Sequence, residues 1–287
     1  MVTSKRELVL STAVLSGLAA AMLVTSFATT SWVTGSLRSN PSGGQGAGGL
    51  LSLVSHGLFE GELERVVSVN NQLDLSIRIT CLMEHNACAW SCQPSAELRR
   101  QEAEQLWSSG CVTEEQVVQG CSQLQGNITG NGTGDGCPLR DRRFTNAGLW
   151  VCTVLLLAAS LVMAAACAAL GVYNSASSPA RTWLGVPGLY ACNGVAAALN
   201  LATMVLWGAQ FASVLVGNIT YTEVITGGFS NHSVSLGYSY WLLLAALFLH
   251  CVNVVLLYLR QYLLDHESPP ASPGKLDENN DGVIYLY

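Results

Sequence analysis

Five polar side chains lie in otherwise apolar runs of this chain: Asn193, Asn200, Gln210, His250 and Asn253. His250 and Asn253 are three positions apart, so on a helix they share one face. Hydrocarbon offers an imidazole or an amide no partner, so that face is expected to look inward. Two kinds of chemistry are open to such a set: hydrogen bonding between helices, or the lining of a pore or proton path. No acidic residue or lysine accompanies the five, which favours packing. There is no nucleophile–base arrangement, no HExxH, no phosphate-cradling glycine loop and no pair of intramembrane carboxylates. The chain is therefore expected to be non-enzymatic, with no cofactor and no metal.

Cysteine is the second reactive type. Cys81, Cys88, Cys92, Cys111, Cys121 and Cys137 cluster in one polar stretch, and an even number outside the cell implies disulfides. A zinc site at Cys88 and Cys92 is the weaker alternative in that compartment. Cys152, Cys167, Cys192 and Cys251 fall in apolar runs and are expected to act as packing residues. Near the end, Asp277-Glu-Asn-Asn-Asp-Gly282 copies the first half of a calcium loop but ends before the closing glutamate, so a turn is the expectation.

These residues need elements to hold them. Half the residues are hydrophobic, 11% are charged, and mean hydropathy is +0.36. From Phe144 to Leu259 the only full charges are Arg181 and Glu223. A water-facing domain of that size needs a charged surface, so this half of the chain faces lipid. The net charge of −6 and the lack of a basic groove exclude nucleic acid as a partner.

Four spans follow, at residues 8–28, 149–172, 189–214 and 238–259, the first taken as uncleaved because its apolar run exceeds a signal-peptide core. The fourth has Tyr240, Trp241 and Tyr258 toward its ends, where aromatic rings meet headgroups. The second and third are rich in small residues (Ala164-Ala-Ala-Cys-Ala-Ala169, Gly194-Val-Ala-Ala-Ala198), which allow helix backbones to approach closely.

Lys5, Arg6, Arg181 and Arg260 all fall inside if residues 1–7, 173–188 and 260–287 are cytoplasmic. Arg140, Arg142 and Arg143 lie outside, in a loop too long for that rule; they read as a cationic collar rather than a processing site. Four sequons, at Asn127, Asn131, Asn218 and Asn231, then fall two in each outer loop, residues 29–148 and 215–237. The expected location is the plasma membrane, with both termini cytoplasmic.

In the first outer loop Gly43–Gly49 reads as a flexible tether. Alternation of Val67 and Val69, then of Leu73, Leu75, Ile77 and Ile79, about Asn70-Asn71 predicts a hairpin in a small antiparallel sheet. Residues 81–137 are expected to form a disulfide-stapled helical insertion. Ser95 can cap a helix running to Trp107, and Thr113 can begin a capping box. The tail beyond Arg260 is polar, carries Pro269, Pro270 and Pro273, and is expected to be disordered. Its end, Tyr285-Leu286-Tyr287, has the form of a ligand for a PDZ groove. The expected fold is an all-α four-helix membrane bundle with a small extracellular sheet.

Several of these pieces together resemble the clarin family, four-span proteins related to the claudin and tetraspan group. Trp32 follows the first span, and Gly57-Leu58-Phe59 with Gly61-Glu62 resembles the family's GLFxGE segment. Tyr173-Asn174, Pro179, Thr182, Gly185 and Gly188-Leu189-Tyr190 match the inner loop. Ser239, Tyr240, Trp241, His250 and Asn253 match the fourth span. The resemblance implies a non-enzymatic membrane organiser of sensory cells (hair cells and photoreceptors), serving stereocilia and synapses and linked to actin. It also implies that Gly57-Leu58-Phe59 seats an outer-loop sheet on the bundle. The six-cysteine insertion departs from the family's shorter loop. Membrane lipids, other membrane proteins meeting the first loop, and a PDZ or cytoskeletal adaptor at the tail are the expected partners, with self-association open. A claudin-like junctional pore, or an auxiliary channel subunit, is the competing class, with Glu60, Glu62 and Glu64 as selectivity charges.

Overall fold

The computed structural model describes residues 2–39, 51–68, 71–109, 144–176, 182–217, 219 and 229–266. In chain order, α1 (Val2–Ala28) leads to β1 (Val33–Ser39), β2 (Leu51–His56), β3 (Glu60–Ser68), β4 (Asn71–Leu82), β5 (Ala87–Ser91) and α2 (Ala96–Ser109). Then come β6 (Thr145–Asn146), α3 (Ala147–Ala176), α4 (Val186–Gln210), β7 (Phe229–Leu236) and α5 (Tyr238–Asp265). The glycine-rich tether, the capping box at Thr113, the arginine collar and the chain end from residue 267 lie outside the described residues.

Among the described residues, four helices are long and apolar enough to cross a membrane: Arg6–Ala28, Ala147–Ala176, Val186–Leu215 and Tyr238–Asp265. Hydroxyls within them bond back to the preceding turn, as Thr12 Oγ1 does to Val9 O and Thr25 Oγ1 to Ala21 O, so they carry few unmet bonds into hydrocarbon. Gly185 and Gly237, both extended, open α4 and α5, and Pro187 fits the first turn of α4, where a missing N–H costs nothing. A helix of 30 residues is about 45 Å long, longer than the ~30 Å hydrocarbon it crosses. The tail is therefore not disordered from residue 260: α5 continues to Asp265, held by a Gln261–Asp265 bond one turn apart.

The long helices pack in a ring, α1 on α3, α3 on α4, α4 on α5, and α5 on α1. Small residues set the spacing. A Cβ added at Gly171 of α3 would lie 2.7 Å from Ala13 Cβ of α1. Cys167 of α3 and Cys192 of α4 are joined as a disulfide, which corrects their expected role as simple packing residues. Apolar runs hide such a pair, because a cysteine there reads as a small hydrophobe until its neighbour is known.

The sheet is antiparallel, in the order β6-β5-β4-β3-β2-β1-β7. The hairpin about Asn71 is present, with Ser68 opposite Asn71 and Leu63 opposite Leu75, but it is one unit among seven strands. The cysteine-rich insertion is not helical at its start. Residues 81–91 finish β4, turn through Met83–His85 with Asn86 at positive φ, and return as β5. Cys81 and Cys88 face each other across this turn and form a disulfide. Helix α2 follows, with Leu98 N donating to Ser95 Oγ at 3.1 Å. Strand β7 comes from the segment between α4 and α5 yet pairs with β1, which follows α1.

Candidate functional site

The sheet meets the bundle at a junction of small and aromatic residues. Trp32 leaves α1 fully buried. Its indole N–H donates to Ser26 O at 2.7 Å, and its ring lies edge-on to Trp207 of α4 and near Tyr240 of α5. Its backbone N–H donates to His56 O, and its carbonyl accepts from Gly237 N, so β2 and the start of α5 both hang on one residue. Gly57 passes so close to the turn that follows α1 that a Cβ would sit 2.3 Å from Thr29 O. Leu58 is buried, and its carbonyl accepts from Trp150 Nε1 of α3 at 2.8 Å. Phe59 stands between Phe27 of α1 and Trp150, with ring centroids 5.3 and 5.8 Å away. Gly61 has no room for a side chain against Ser55 O and His56 Cβ, both 2.6 Å from a built Cβ. Glu62 is exposed on the other face of β3, between Ser55 and Ser76.

Ser239 completes the junction. It receives a bond from Ser26 Oγ at its carbonyl, shares one with Thr29 Oγ1, and donates its N–H to Ser31 O. Serine reads as a small packing residue in an apolar sequence, so nothing marked Ser26 for this role; Ser239 was visible only through its position before Tyr240-Trp241.

Deeper in the bundle, three helices meet at a polar layer. Asn193 Oδ1 of α4 accepts from His250 Nδ1 at 2.9 Å and from Asn253 Nδ2 at 3.0 Å, both on α5. Asn253 Nδ2 also donates to Ser16 Oγ of α1 at 2.9 Å. Asn193 Nδ2 bonds back to Leu189 O, which fixes the direction of its amide. All four residues are fully buried. About two and three turns further along α4, Asn200 Nδ2 donates to Leu243 O at 3.2 Å and Tyr240 OH to Met204 O at 3.3 Å, again joining α4 to α5. Helix α3 joins by Ser160 Oγ to Ala196 O at 3.4 Å. Each such bond between membrane helices contributes about 0.6 kcal/mol, and up to about 2.

Two buried ionisable groups belong to the sheet and the helix packed on it, His56 of β2 and Glu102 of α2. His56 is packed on Trp90, with ring centroids 4.4 Å apart, and burial lowers its pKa to about 4. Its Nδ1 meets Gly57 O. Glu102 of α2 is buried against β5 and accepts from Ser91 Oγ; loss of solvent raises its pKa. Neither residue stands out in the sequence, since burial of a single His or Glu leaves no local pattern.

Of the remaining predicted residues, Asn231 lies on β7 opposite Leu37, and Cys92 is disulfide-bonded. Asn127, Asn131, Asn218, Cys111, Cys121, Cys137 and Tyr285-Leu286-Tyr287 lie outside the described residues.

No family model matches the chain. It is 32% identical to Clarin-3 of Homo sapiens over 106 residues, 37% of this chain and 47% of that protein. It is 30% identical to Clarin-3 of Mus musculus over 110 residues, 38% of this chain and 49% of that protein. The matched part thus spans about half the length of these curated relatives. With four candidate spans, the matches support membership of the clarin family and a clarin-like multi-pass membrane protein.

Proposed function

We propose, from this kinship with the clarins, that the protein is a non-enzymatic scaffold of the plasma membrane, with both termini in the cytoplasm. It would organise membrane in sensory cells such as hair cells and photoreceptors, supporting stereocilia and synapses and connecting them to actin. The observation that carries this reading is the junction. Both loops join one sheet, and that sheet is fixed to all four long helices through Trp32, Gly57, Leu58 and Phe59. A broad sheet held in one orientation suits the display of a binding surface to other membrane proteins. The tail, ending in Tyr285-Leu286-Tyr287, would recruit a PDZ or cytoskeletal adaptor.

Proximity labelling from the tail and from the first outer loop, in native tissue, tests the proposal. Cytoskeletal and adhesion proteins among the tail's neighbours support it; a set made up only of channel subunits overturns it. A second reading, a junctional pore or channel accessory, has one specific support. Glu62 and Glu64 line a shallow groove on the sheet with Thr34, Leu53 and Ser55. Ion permeability of an epithelial monolayer expressing the protein separates the two, because a pore former changes charge selectivity and a scaffold leaves it unaltered.

A further inference from the structure

The polar layer leaves atoms over. His250 Nε2, Asn253 Oδ1, Asn200 Oδ1, Trp207 Nε1 and both amide atoms of Gln210 have no hydrogen-bond partner among the described residues. These residues are at most 1% exposed.

The leftover atoms form two levels with opposite needs. At the lower level the proton can be placed. Asn193 Nδ2 is committed to Leu189 O, so Asn193 Oδ1 must accept from both His250 and Asn253. His250 therefore carries its proton on Nδ1, and Nε2 presents a lone pair. Asn253 has its amide N–H groups on Asn193 and Ser16, which leaves its oxygen. Two acceptors on one helix face cannot satisfy each other. At the upper level, Trp207 and Gln210 are also three positions apart, and they leave two donors and one acceptor.

The backbone changes at the same upper level. Gln210 ends α4, and the helix continues as a π turn over Phe211–Leu215, with Val216 N bonded to Phe211 O. Irregular helix at membrane depth is tolerated where protein or water covers the freed groups, and such turns gather at functional positions.

We propose that the interior of the bundle binds water at these two levels. The lower water donates to His250 Nε2 and Asn253 Oδ1. The upper one accepts from Trp207 Nε1 and Gln210 Nε2 and donates to Gln210 Oε1. Water fits both because it is small, neutral, and able to act as donor at one level and acceptor at the other. A metal cation suits the lower acceptors alone, and among the described residues no charged side chain is buried within the bundle to balance it. The levels are about 25 Å apart along α4, with Asn200 Oδ1 between them, so each is a separate site rather than one shared molecule.

Water-edited solid-state NMR on the full chain in lipid nanodiscs, with nitrogen-15 in His, Asn, Gln and Trp side chains and carbon-13 in the leucine methyls, tests this. Gln210 and Trp207 are assigned by Gln210→Met and Trp207→Phe. His250 is assigned without substitution, through its contact with the Asn193 amide, so the test survives if a variant fails to fold. The expected result is polarisation from water at His250 and Gln210 several-fold faster than at the buried methyls of Leu243 and Leu257. Build-up as slow as at those methyls, at both levels, overturns the proposal; fast build-up at one level only overturns it for the other.

Discussion

At the scale of single residues, the heaviest hydrogen-bonding load falls on Asn193, whose oxygen serves two donors from α5. Asn193→Leu should therefore destabilise the bundle more than Asn200→Leu, which removes one bond. We expect a loss of about 1–3 kcal/mol for Asn193→Leu and for Asn253→Leu, because each leaves buried groups without a partner. Thermal unfolding in detergent reads the stability, and surface biotinylation should show less protein delivered. Normal delivery of Asn253→Leu together with an altered conductance would favour a conduit instead. His56 gives a pH prediction of known sign. Its unfolded pKa is near 6.5 and its folded pKa about 4, so between those values the unfolded chain binds more protons. Its contribution is complete above pH 6.5 and is lost toward pH 4, a change of about 3 kcal/mol. Glu102 acts in the opposite sense: its raised pKa makes the folded form more stable below its ordinary range and less so above it. His56→Phe should flatten the acid limb of a melting-temperature profile, and Glu102→Gln should raise the neutral plateau. The spacing of His250 and Asn253 could be read from the sequence. Ser16, their partner on α1, could not, because a serine in a membrane helix normally bonds its own turn and nothing local distinguishes one that reaches across.

At the scale of elements, the spans were legible because an apolar run of such length rarely occurs in a fold surrounded by water. The hairpin about Asn71 was legible from its alternation. Strands β1, β2 and β7 were not: Phe229-Ser-Asn-His-Ser-Val-Ser-Leu236 alternates weakly, and its pairing with β1 spans about two hundred positions of sequence. Local pattern carries no information about a partner that remote. The cysteines and charges of the insertion suggest an independent helical knot, yet Cys81 and Cys88 are cross-strand neighbours extending the sheet. Removing both, as Cys81→Ser with Cys88→Ser, should cost about 2 kcal/mol, the figure for a short loop, read as earlier proteolysis of the segment between α1 and α3. Gly57→Ala is expected to be far more damaging than its size suggests, since the new methyl meets the carbonyl of Thr29 rather than a movable side chain. Helical content measured by circular dichroism should survive that change while the sheet loses its seat on α1. Loss of neither would show that the contact can relax.

At the scale of the whole molecule, the described residues form a ring of four long helices carrying a seven-stranded roof. If the sequons face the exterior, endoglycosidase treatment should shift its gel mobility after expression in animal cells, and carbonate washing should leave it in the vesicles. Unchanged mobility would reverse the orientation that places the sheet outside. One detail of the roof bears on how the molecule is made. β1 is bonded on one side to β2, the next strand in the chain, and on the other to β7, which the ribosome delivers only after the third long apolar helix. Until then β1 has a bare flank, and a nascent chain interrupted anywhere before residue 229 keeps it bare for good. Premature stop codons even late in the coding sequence should thus yield a sticky, chaperone-bound product that is cleared early, whereas a stop just beyond α5 leaves the roof whole.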